Sequence, residues 1–212
     1  MDTDTFNDDR IFRFTKIVAA IVVPFLVLAF LILYFFPELS GQHFAWPINP
    51  HMTAMFMGAG YIGGAWLFVQ TIISNRWHRV AAGFPPVTAF ATAMLLATVV
   101  HWDIFDTSHF PFLLWLILYV VAPPLVLIAW LRNRVTDTGT PEENDPTVPA
   151  VARWSLGILG IILLLYAIGG FINPAWQIAI WPWPLSPLTS RIMSGWFSLL
   201  GVGGMVIARD PR

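Results

Sequence analysis

The sequence predicts an all-α, polytopic membrane protein with six transmembrane helices and both termini cytoplasmic. Three observations predict it. First, 57% of the residues are hydrophobic, 11% are charged and mean hydropathy is +0.70. Soluble domains carry about 25% charged residues, and a chain this apolar has too little polar surface to cover itself in water. Second, six stretches approach or exceed the roughly 20 apolar residues that cross a hydrocarbon core: Ile17–Phe36, Met52–Ser74, Val80–Val100, Phe110–Leu131, Trp154–Phe171 and Leu188–Ile207. Third, ten of the eleven Lys and Arg residues fall on one side of the alternating spans. The positive-inside bias makes that side cytoplasmic.

The elements follow in order. Residues 1–16 read as a polar tail, opening with the acidic, disordered-looking "MDTDTFNDDR". Ile17–Phe36 is too long for a signal-peptide core of roughly 7–15 residues and lacks a small-residue cleavage site, so it is the first span. Spans 1–4 occupy residues 17–131. Residues 132–153, rich in Pro, Thr and acidic side chains, read as a flexible cytoplasmic linker. Spans 5 and 6 occupy residues 154–208, and 209–212 form the C-terminal tail.

Several function classes are disfavoured. Arg191, at the head of the last span, is the only formally charged residue inside any of the six stretches. Ion-coupled transporters and voltage sensors keep ionisable groups at depth. A net charge of -1 gives no reason to expect a nucleic-acid partner. The chain has no cysteine, which removes disulfides and iron–sulfur ligation. No P-loop or HExxH motif occurs.

A repeated motif stands out on the outer side. Trp46-Pro47-Ile48-Asn49-Pro50 and Trp183-Pro184-Leu185-Ser186-Pro187 each precede an inward-going span. Asn49 and Ser186 suit the N-cap, Pro50 and Pro187 the first helical position, and the two tryptophans the headgroup level. Gly58 and Gly195 then fall at equivalent depth, as do Gly64 and Gly201, where glycine permits close helix approach. The pattern fits a parallel internal repeat of spans 1–2 and 5–6. Gly60 and Gly64 also form a GxxxG pair in span 2, suited to internal packing or to a homo-oligomer.

Candidate chemistry gathers in the same outer loops. "HWDIFDTSH" supplies His101, Asp103, Asp106 and His109, and His51 stands at the head of span 2. These are ligand types for a metal, and a histidine pair such as His51 and His101 would suit a haem. Helical spacing would put His101 and Asp103 on different faces, so only a loop gathers the set. The plain alternative is capping of the third span at the headgroup level. Arg191 would pair with Asp103, Asp106 or Glu38, or hold a phosphate or a substrate anion. With Arg191, the aromatic side chains Trp46, Trp102 and Trp183 are the candidate ligand-binding residues.

"FAWPINPHMTAMFMGAGYIGG", "HWDIFD" followed by "LYVVAPP", and "WPWPLSPLTSR" together resemble a family of six-span bacterial integral membrane proteins to which no activity is assigned. The resemblance covers the membrane part. It implies the topology and a bacterial cytoplasmic (inner) membrane, and nothing about activity, cofactor or partner. The expectation is an accessory or binding protein whose aromatic outer face takes a lipid, a lipophilic small molecule or a membrane protein partner. The alternatives are a metal- or haem-dependent enzyme on that face and a facilitator for a neutral solute.

Overall fold

A computed structural model describes residues 8–140, 145 and 147–210. Most of the acidic N-terminal stretch, part of the linker and the end of the C-terminal tail lie outside the described residues. The described chain is helical, with no strand. Its longer helices are α1 (Arg13–Phe30), α2 (His51–Ile73), α3 (Phe84–Val100), α4 (Phe110–Asn133), α5 (Ala150–Ile172), α6 (Pro174–Ile180) and α7 (Pro187–Arg209). All but the short α6 are, with their flanking turns, long and apolar enough to cross a membrane: Arg13–Phe35, His51–Ile73, His78–Val100, Phe110–Thr136, Ala150–Ile172 and Pro187–Arg209.

Proline and small polar residues set the starts. Pro111, Pro174 and Pro187 lie in the first turns of their helices, where the missing N–H costs no hydrogen bond. Ser186 caps α7 as expected, its hydroxyl accepting from the Thr189 N–H at 3.1 Å. Asn49 does not cap α2. Pro50 stays extended outside the helix (φ -70°, ψ 167°) and its carbonyl accepts from the Thr53 N–H at 2.9 Å. α1 ends in a wide π turn, Leu31–Phe35, just before Pro37.

The helices form a chain of close partners. α2 packs on α1, α4 on α3, α7 on both α3 and α5, and α1 reaches α4. Glycine sets how closely α5 and α7 approach. A methyl group at Gly201 would lie 2.8 Å from the Leu164 nitrogen, and one at Gly204 2.6 Å from the Leu156 carbonyl. Here backbone touches backbone. Gly58 is equally close to the backbone of Tyr34 in the π turn, at 3.0 Å. Both glycines of the span-2 pair face their own chain: Gly60 lies under the Trp196 ring and Gly64 against Leu26. Outward faces are apolar, with Ile117, Ile158, Leu165 and Ile172 exposed; so extended an apolar surface suits lipid rather than water.

At the basic end, residues 8–12 are pinned, although the sequence reads them as part of a tail. The Asp9 N–H donates to the Thr136 carbonyl (2.8 Å), and its own carbonyl accepts from Trp77 N–H (2.7 Å). Its carboxylate accepts from the backbone N–H and Nδ1 of His78 at 3.0 and 2.5 Å. Asn133 accepts from the Phe12 N–H and the Thr15 hydroxyl, each at 2.9 Å. One buried polar knot thus joins the start of α1, the α2–α3 turn and the end of α4.

Candidate functional site at the aromatic end

The aromatic end lies opposite that knot. Arg191, in the first turns of α7, donates through Nε to the Phe171 carbonyl (2.9 Å) and through Nη1 to His101 Nε2 (2.7 Å). Its guanidinium also stands 5.9 Å from the Phe171 ring centre. The expected carboxylate partners are elsewhere: Glu38, Asp103 and Asp106 are exposed. His101 is nearer because it follows directly on α3, the helix against which α7 packs. Accepting from a guanidinium requires a neutral imidazole with its proton on Nδ1. Burial, and then the Arg191 charge, push the His101 pKa below its ordinary value.

The remaining histidine and aspartate candidates are dispersed. His109 Nε2 lies 3.1 Å from the Phe44 carbonyl, and His51 is exposed. Asp106 accepts from the hydroxyl and N–H of Ser108 at 2.6 and 2.8 Å, forming the turn before α4. Those bonds, the hydroxyl's first, hold its carboxyl below the usual range. Among the described residues, no three His, Asp or Glu side chains are placed to share a metal ion.

The three tryptophans occupy different environments. Trp46 is packed inside the protein, 4% exposed. Its ring centre is 5.0 Å from that of Trp115, with Phe44 at 5.3 Å and Phe105 at 6.0 Å. Trp102 is exposed, edge-on to Phe112. Trp183 donates through its indole N–H to the Thr53 hydroxyl at 2.8 Å, so the second Trp-Pro motif meets the helix turn that follows the first.

Beneath this aromatic cap lies a feature that the sequence reading passes over. The hydroxyls of Tyr61 (α2) and Tyr119 (α4) are 3.0 Å apart and buried. A cavity of ≈ 60 Å³ adjoins them on the side of Phe25, Phe44 and Trp115. Another of ≈ 50 Å³ adjoins them on the side of Gly60, Phe90 and Trp196. Both cavities are bounded by Leu26, Tyr61, Leu118 and Tyr119. Rings connect the two: Trp115 to Tyr119 at 4.2 Å, Tyr61 to Trp196 at 5.1 Å, and Trp196 to Phe90 at 4.2 Å.

Two phenols that bond only each other use one hydroxyl hydrogen and leave the second without an acceptor. Among the described residues neither hydroxyl has another partner. A buried unmatched donor costs roughly 1–3 kcal/mol. The site is therefore apolar and aromatic, with one hydrogen-bond donor to offer. Among the described residues, His43, lining the first cavity, is the only ionisable side chain around either besides the tyrosines. A signal existed in the sequence: two of its four tyrosines sit in the middle of spans, where each hydroxyl needs a partner.

A second buried polar group lies in α6. Gln177 Oε1 accepts from Ser190 (2.6 Å) and Ser194 (3.0 Å), and Gly170 leaves the room it occupies. These bonds fasten α6 onto α7. No protein-family model, curated protein or solved structure matches the chain.

Proposed function

We propose that this chain is a non-enzymatic integral membrane protein that binds a neutral lipophilic small molecule beneath its aromatic end. The basic end faces the cytoplasm, since every described Lys and Arg residue except Arg191 falls on that side of the spans, and the membrane is a bacterial inner membrane. One observation carries the ligand reading: the Tyr61–Tyr119 pair lies between two apolar cavities with one hydroxyl hydrogen unmatched. A carbonyl oxygen on the ligand accepts that hydrogen, and the surrounding rings take its apolar body. A site of this kind orients a molecule without transforming it, since no charged side chain or cluster of metal-ligand types adjoins the pair among the described residues.

The cavities also indicate how binding proceeds. A cavity of about 150 Å³ admits benzene, against ≈ 60 and ≈ 50 Å³ on the two sides. Entry of a ring therefore displaces side chains around the tyrosine pair. The test is a titration of the detergent-purified protein with a decyl-substituted benzoquinone and with decylbenzene, followed by tryptophan fluorescence. Saturable quenching by the quinone, absent with decylbenzene plus free benzoquinone, supports the reading. Linear, non-saturating quenching argues against it.

A further inference from the structure

We infer that the groove between α5 and α7 at the basic end is a binding site for an anionic phospholipid. The inference rests on the six-span membrane reading and is independent of the tyrosine pair. The groove encloses ≈ 470 Å³, much more than either cavity beside the tyrosines. Arg153 and Trp154 of α5 and Arg209 of α7 line it, with Ile158, Ile161 and Met205 continuing it as an apolar trough.

Its polarity follows that of a phospholipid. Arg153 donates through Nε and Nη2 to the Ala208 carbonyl at 3.2 and 2.9 Å. This fixes the guanidinium at the C-terminal end of α7 and leaves Nη1 for another acceptor. Arg209 is exposed and forms no ion pair among the described residues. Asp210, the carboxylate next in sequence, is already engaged. Two guanidiniums therefore stand at one mouth, a geometry that suits a phosphate. Trp154, 75% exposed beside them, has the amphipathic character of a residue at headgroup level. Ile158 and Ile161, 58% and 51% exposed, offer the trough to acyl chains. A zwitterionic lipid brings its own cation to the same mouth, so charge complementarity selects an anionic headgroup.

The test uses the full chain in nanodiscs of equal parts phosphatidylglycerol and phosphatidylcholine, released for native mass spectrometry. We expect one phosphatidylglycerol retained in preference to phosphatidylcholine. Arg209→Gln, at an exposed side chain with no ion pair among the described residues, should lower that retention about tenfold, as loss of one charge-assisted contact does. Arg153→Gln should lower it further and Arg153→Lys less. If Arg153→Gln proves unstable, Arg209→Gln alone decides. Equal retention of both lipids, or unchanged retention in Arg209→Gln, overturns the proposal. Displacement by millimolar inorganic phosphate as effective as that by phosphatidylglycerol also overturns it, since the site would then be one for free anions. Failure of the protein to enter nanodiscs would instead fail the membrane reading.

Discussion

The indole N–H of Trp183 donates to the hydroxyl of Thr53 across 2.8 Å. Trp183 opens the second Trp-Pro motif, and Thr53 lies in the helix turn that follows the first. Two segments 130 residues apart thus share one hydrogen bond at the aromatic end. Trp183→Phe keeps most of the ring but not the donor, and should lower unfolding stability by about 1 kcal/mol. Thr53→Val should cost a similar amount, and the double variant little more than either single change. Thermal unfolding in detergent measures all three, and fully additive losses would show that the bond is not shared in this way.

His101 makes the same end sensitive to acid. Its pKa is pushed below the ordinary 6.5 by burial first and by Arg191 second. Folding therefore favours the neutral imidazole. The Arg191 contact is intact above the ordinary value and is lost as pH falls through the lowered one. Thermal melts from pH 7.5 down to 5 should show the native chain losing more stability than His101→Gln, whose side-chain amide carries no titrating charge. Equal pH slopes for the two proteins would count against the Arg191–His101 contact.

Asp9 is a structural residue at the opposite end. It is buried and holds φ at +55°, in the left-handed region that glycine, and less often asparagine and aspartate, adopt. Asp9→Gly removes the carboxylate while keeping the backbone easy, and should cost about 2–3 kcal/mol through the bonds lost to His78. Asp9→Ala should cost about 1–2 kcal/mol more, from the side chain forced into that region. Chemical unfolding separates the two, and an alanine variant as stable as the glycine one would refute the backbone part of the account.

Glycine at the α5–α7 contact gives a sharp contrast. A methyl group at Gly201 meets the Leu164 nitrogen at 2.8 Å, whereas one at Gly63 meets nothing within 4 Å. Gly201→Ala should destabilise by about 1–3 kcal/mol through overpacking, while Gly63→Ala should be neutral or slightly stabilising. The order of their melting temperatures checks the packing directly.

The spans were legible because apolar length and the distribution of charge are properties of the sequence alone. Ser186 was legible as a cap because its hydroxyl acts locally, on the N–H of Thr189. The same logic applied to Asn49 failed: Pro50 remains extended and closes the first turn of α2 with its own carbonyl. Arg191 was legible as a tether. Its partner was not, since choosing His101 over Asp103 requires knowing that α7 packs on α3. The pairing of Tyr61 with Tyr119 depends on two helices 58 residues apart meeting at one depth. Nothing in either span records that register. The Asp9–His78 knot was hidden for a similar reason: an acidic run near a chain end reads as solvated until the turn that buries it is known.

In the proposed function, Tyr61 and Tyr119 offer a hydrogen to a lipophilic carbonyl compound. The dissociation constant of the decyl-substituted benzoquinone, for the native chain and for Tyr61→Phe/Tyr119→Phe, tests this. That substitution removes both hydroxyls and keeps both rings. Loss of one buried hydrogen bond predicts affinity weakened by about 5–10-fold, with the fold unchanged. Equal affinity in the two proteins would contradict the account.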